Sequence, residues 1–122
     1  MMSCGDDDSL PAAKNYTITY EVNATGGASV SQVQYRDKDA KWVVLENPGN
    51  SWEIRLSIPA GKALEAFAIG DIPFEGKLEI EATWSPSIDG QSAENEEINN
   101  DQAGSVIDGA KVEIEGRSLP RD

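Results

Sequence analysis

Histidine is absent from this sequence and cysteine occurs once, at Cys4. Without His, no Ser–His or Cys–His couple can activate a nucleophile. A tetrahedral zinc site needs about four nitrogen or sulfur ligands, so Cys/His zinc chemistry is excluded too. One cysteine cannot close an intramolecular disulfide, and the fold must hold by packing. Basic residues are scarce: 10 Lys and Arg stand against 22 Asp and Glu, a formal charge of −12. A protein that grips nucleic acid by neutralising phosphates needs a basic face, and this composition excludes one. No apolar run approaches the roughly 20 residues of a membrane-spanning helix. What remains is a 122-residue chain with three Trp, three Tyr and two Phe, enough apolar surface for one domain without staples.

Period-two alternation dominates the middle of the chain. Tyr16, Ile18, Tyr20 and Val22 alternate with Thr17, Thr19 and Glu21, and Trp52, Ile54, Leu56 and Ile58 with Glu53, Arg55 and Ser57. Leu78, Ile80, Ala82 and Trp84 repeat the pattern against Glu79, Glu81 and Thr83. Such alternation marks strands with one buried and one wet face. Strands are expected over 16–22, 28–36, 41–46, 52–58, 63–70, 77–84 and 109–115, with a bulge near Ser31, where the apolar parity switches between Val30 and Val33. The stretch 63–70 has a helical composition, but it is short for a helix and sits between strands. After Pro86 some twenty residues are polar and are read as loop. The expected fold is all-β: an antiparallel, immunoglobulin-like β-sandwich of about seven strands. It spans 14–116, after a flexible acidic tether at 1–13 and before a disordered tail at 117–122.

The N-terminal residues Ser3-Cys4-Gly5, followed by Asp6-Asp7-Asp8, resemble the lipobox of bacterial lipoproteins and the acidic export signal of Bacteroidetes surface lipoproteins. The resemblance implies that Met1 and Met2 end a signal peptide, that Cys4 is acylated, and that the domain is held at the outer membrane facing the cell surface. Buried acyl chains contribute about 0.8 kcal/mol per CH₂, which anchors a domain without a spanning helix.

A second resemblance covers most of the folded part. Thr19-Tyr20-Glu21-Val22 before a Gly-rich turn, Ser51-Trp52 leading to Ile58-Pro59-Ala60-Gly61-Lys62, Ala66-Phe67-Ala68, Gly76-Lys77-Leu78-Glu79-Ile80 and Ile88-Asp89-Gly90 follow one another. In that order they resemble the extracytoplasmic domain of the MmpS family, the mycobacterial small membrane proteins. The resemblance implies a sandwich fold and an accessory or scaffolding role beside a membrane transporter. The paired cysteines of that family have no counterpart in 80–84 or 112–114.

Three constellations are candidates for chemistry. Asp89, Glu94, Glu96, Glu97 and Asp101 form an acidic stretch that, as a loop, offers oxygen ligands of the kind calcium takes, although it lacks the EF-hand order. Glu79/Glu81 and Glu113/Glu115 are same-face pairs about 7 Å apart, a spacing glycosidase carboxylates also span, but they point to water rather than into a cleft. Trp42 and Tyr35 are the candidate ligand- or partner-binding residues, because the strand around Trp42 is apolar on both parities; a core position is the favoured reading for Trp42, and exposure the alternative. Phe74 suits a plug at one end of the sandwich. No enzymatic activity and no cofactor are expected. The expected partners are the membrane through Cys4 and either a transporter or a surface glycan.

Overall fold

The structure, a computed structural model, describes residues 14–121. Cys4, Asp6, Asp7 and Asp8 lie outside the described residues. The described residues form eight strands: β1 (Asn15–Thr25), β2 (Ser29–Arg36), β3 (Trp42–Glu46), β4 (Ser51–Pro59), β5 (Ala63–Pro73), β6 (Lys77–Ile88), β7 (Gln91–Asn99) and β8 (Val106–Ser118). They make two four-stranded sheets, in the order β4-β1-β6-β7 and β3-β2-β5-β8. All pairings are antiparallel. The fold is therefore an all-β sandwich with eight strands among the described residues, where about seven were expected.

The core is what the alternation requires. Tyr16, Ile18, Tyr20 and Val22 of β1 meet Leu78, Ile80, Ala82 and Trp84 of β6 on the inner face of the first sheet, all buried. Val30, Val33 and Tyr35 of β2, Leu64, Ala66 and Ala68 of β5, and Val112 and Ile114 of β8 close on them from the second sheet. Truncating a fully buried aliphatic such as Ile80 costs about 2–5 kcal/mol, so this layer dominates stability. The expected bulge is present: the β2–β5 register shifts between Val30 and Gln32, which lets Val30 and Val33 both face inward. At the turn from β1 to β2, Gly26 has φ of 66°, and a Cβ there would collide with the Glu75 carbonyl.

Two expectations are corrected. Residues 117–121 are not a loose tail: β8 runs through Ser118, and Leu119 is only 1% exposed. Leu119 N–H donates to the Lys62 carbonyl at 2.9 Å, and its own carbonyl accepts from Gly61 N–H at 2.8 Å. The polar stretch after Pro86 is no loop either. It continues β6 to Ile88, turns at Asp89-Gly90 and returns as β7. Both turn residues have positive φ, 52° and 78°, the backbone that a two-residue type I′ hairpin needs.

The two sides of the sandwich differ. On one, β7 and β8 approach closely across the gap between sheets. On the other, the inner-face residues Trp52, Ile54 and Leu56 of β4 and Val43 and Leu45 of β3 stay only partly buried.

Candidate functional site

The acidic stretch is resolved into separate structural jobs. Asp89 sits in the hairpin turn, and Asp101 is exposed in the segment between β7 and β8. Glu94 and Glu96 lie opposite Ala82 and Ile80, which places them on the inner face of their sheet. There Glu96 Oε1 accepts from Glu113 N–H at 2.7 Å, and Glu94 Oε2 from Glu115 N–H at 3.2 Å. Glu94 Oε1 also pairs with Arg117 Nη2 at 2.9 Å. Two carboxylates of one edge strand thus satisfy backbone donors of the other sheet's edge strand. Glu97 points the other way and accepts from Asn99 Nδ2 at 3.0 Å. Among the described residues no three acidic side chains are placed to hold a metal ion. The candidate calcium loop is not assembled among the described residues, because a strand sends successive side chains to opposite faces.

The segment after β7 is held by Asn100, a buried polar residue within the acidic stretch that sequence reasoning did not single out. Its Nδ2 donates to the carbonyls of Ile72 at 2.9 Å and Ser105 at 3.0 Å. Its Oδ1 accepts from Gln102 N–H at 3.0 Å and Ser105 Oγ at 3.1 Å. Every donor and acceptor of the amide is used, as a buried amide requires.

The aromatic candidates separate. Tyr35 is only 7% exposed and stacks between Tyr20, at 6.0 Å, and Trp52, at 5.7 Å. It is core, not a contact residue, since it shares its parity with Val33. Phe74 is exposed at 42% and plugs nothing. Trp42, by contrast, is not in the core, where it was expected: Val43 and Leu45 take the inward parity of β3, and Trp42 stands on the outer face of the second sheet, 38% exposed, with Val44 beside it at 48%. The Arg36 guanidinium lies over the Trp42 ring at 4.4 Å, and the Phe67 ring is 5.7 Å away at an angle of 57°. Lys111 Nζ sits 4.5 Å above Phe67. A layer of alternating cation and ring therefore crosses β3, β2, β5 and β8.

Local chemistry fixes this layer. Arg36 Nε is paired with Glu65 Oε1 at 2.7 Å, and Arg36 Nη1 donates to the Ala40 carbonyl at 2.9 Å. The turn that delivers Trp42 is tied by Asp37, whose Oδ1 accepts from Asp39 N–H at 2.8 Å and Lys41 N–H at 3.0 Å. Those backbone donors, Lys41 first, hold the Asp37 carboxyl below the usual carboxylate range. Gln34 and Gln32 form a side-chain chain with Glu46 along the neighbouring row, at 2.8 and 2.7 Å. Arg and Trp on a flat, partly apolar face are the residue types that carry binding energy at protein interfaces.

The outer face of the first sheet is different in kind. Glu53, Glu21 and Glu81 stand directly opposite one another across β4, β1 and β6, with Glu79 and Glu97 in the next row. The expected Glu79/Glu81 pair belongs to this wet carboxylate face. One end of the same face holds an open recess of about 290 Å³ bordered by Thr17, Thr19, Arg55, Thr83 and Ser85. It offers hydroxyls and one cation but no acid–base pair. No helix of the described residues is long and apolar enough to cross a membrane. Comparison with protein-family models finds no family that matches the chain, and comparison with the curated proteins finds no matching relative.

Proposed function

We propose that this chain is a non-enzymatic docking module of the cell envelope, anchored in the outer membrane through acylated Cys4 and exposed at the surface. In this reading it serves as an accessory or scaffolding subunit of a membrane transport system and meets a protein partner through the outer face of the second sheet. The observation that carries the docking role is the outer-face Trp42–Arg36–Phe67–Lys111 layer, with Trp42 and Lys111 exposed and Arg36 and Phe67 partly so. Arg36 already lies over the Trp42 ring, which suits a protein interface better than bare-ring stacking on a sugar. The anchor rests on Ser3-Cys4-Gly5 with Asp6, Asp7 and Asp8, and the transport role on the resemblance to the MmpS family.

The test is a crosslinking pull-down of the full chain from envelope membranes, in parallel with a Trp42→Ala variant, with the mass of the Cys4 peptide read in the same samples. The expected result is acylated peptide, a membrane transport protein crosslinked to the domain, and at least about tenfold less of it with Trp42→Ala. Equal capture by the variant overturns the docking face. Unmodified Cys4 peptide in the soluble fraction overturns the anchor. Quenching of Trp fluorescence by a polysaccharide, with no protein crosslinked, replaces the partner with a surface glycan.

A further inference from the structure

Among the described residues β4 has a strand on one side only, so its outer edge is free over Ser51–Pro59, with proline only at the end. Its inner-face residues Trp52, Ile54 and Leu56 remain partly exposed although they pack on the core. On its wet face Glu53 and Arg55 are exposed, and among the described residues neither side chain makes a hydrogen bond or ion pair. A long edge of this kind, with no covering element among the described residues and no bulge, is a template for another strand.

The sequence of the edge specifies which strand. An antiparallel partner must keep apolar residues opposite apolar ones, so only registers that preserve the face are admissible. Set against a second copy of itself with Ile54 opposite Ile54, the edge brings Trp52 against the partner's Leu56 and Glu53 against the partner's Arg55. Two-fold symmetry repeats both pairs, the self-complementarity an isologous interface needs. The neighbouring in-phase registers place Glu53 against Glu53 or Arg55 against Arg55, and like charges directly opposite are unfavourable. One register therefore satisfies both faces. It also sets a cation at the end of the Glu53–Glu21–Glu81 carboxylate row, in which none stands among the described residues.

We propose that the protein self-associates through β4, joining its first sheet to that of a second copy in the register that pairs Glu53 with the partner's Arg55. The inference is independent of the docking face, which lies on the other sheet. The net charge of −12 opposes close approach of two copies, so the dimer is a weak one that forms at high local concentration.

The experiment measures molar mass by sedimentation equilibrium over a concentration series of the full chain, with reductant present so that Cys4 cannot form a disulfide. The expected result is a monomer–dimer equilibrium. Glu53→Arg and Arg55→Glu, each alone, raise the dimer dissociation constant by about tenfold or more, because each sets like charges opposite twice. Mixing the two single variants restores association as a heterodimer, and the double exchange E53R/R55E restores the homodimer. Both positions are exposed, so folding is retained, and a circular dichroism spectrum checks it. A full chain that stays monomeric up to about 1 mM overturns the proposal, whether residues 1–13 or nothing covers the edge. Single variants that dimerise as the parent does, or a mixture that fails to associate, overturn the register.

Discussion

The two long sides of the sandwich solve the same problem in opposite ways. Where β7 meets β8, the edge strand turns carboxylates inward, and Glu94 and Glu96 accept the backbone N–H groups of Glu115 and Glu113. Arg117 answers the Glu94 charge and lies over the Trp84 ring at 5.2 Å. Where β3 and β4 lie, the inward positions are apolar and only half covered, and among the described residues no side chain of either strand bonds the other sheet's backbone. Inward charge on an edge strand prevents further pairing, whereas an apolar edge invites it. A small sandwich can therefore be closed to strangers on one flank and open on the other, through the choice of a few side chains.

The sealed side is where the largest effect is expected. Asn100 ties the β7–β8 connection to Ile72 and Ser105, and its backbone N–H and carbonyl also bond Gly76 and Glu75. Asn100→Ala leaves buried carbonyls without their donor and should cost about 3 kcal/mol in urea unfolding at neutral pH. A loss under about 1 kcal/mol would show that water replaces the amide. Glu96→Ala removes a single acceptor from a half-open edge, and a loss of about 1–2 kcal/mol is expected. The sharper readout is hydrogen exchange: the Glu113 amide should exchange faster while the Ile80 amide is unchanged, and uniform acceleration would mean that the edge has no local role.

The core next to the open side supplies the smallest effect near neutrality. Burial pushes the Tyr20 phenol well above its ordinary value of 10.0, against the pull of the Glu65 N–H that it accepts at 2.9 Å. Burial raises Tyr35 as well, with Asp37 adding to it. Raised phenol pKa values mean that the fold holds the neutral form. Their contribution is fully present below about pH 10 and is lost as the pH climbs through the higher folded values. Thermal midpoints should therefore be flat with respect to these groups up to about pH 10 and fall above it. Tyr20→Phe, measured alongside, should flatten that alkaline fall at the expense of some stability at pH 7; an unchanged slope would assign the fall to other groups.

Much of this was legible in the sequence, for a physical reason. β1, β4 and β6 each set aliphatic or aromatic residues at every second position, so their faces could be read directly, and the parity switch at Val30 and Val33 gave the bulge at Ser31. β7 was invisible because two of its inward positions hold Glu94 and Glu96, and a carboxylate that caps a backbone donor has the same letter as one in water. Asn100 was hidden in the same way, its burial depending on partners 28 and 5 residues distant. For Trp42 the difficulty was the reverse. Trp42, Val43, Val44 and Leu45 are apolar on both parities, and only the pairing of β3 with β2 decides that Trp42 and Val44 face out. Tyr35 was decidable from its phase with Val33.

The ends of the described chain have a consequence of their own. Lys14 bonds the turn after β4 through its carbonyl, Leu119 bonds the same turn through N–H and carbonyl, and the Tyr16 hydroxyl donates to the Pro120 carbonyl at 2.8 Å. The two ends of the described segment therefore meet at the turn after β4, Lys14 and Leu119 bonded to neighbouring residues of it. A short linker joining 120 to 14, with new termini opened at the exposed Asn47–Asn50 turn, should give a circular permutant with the same two sheets.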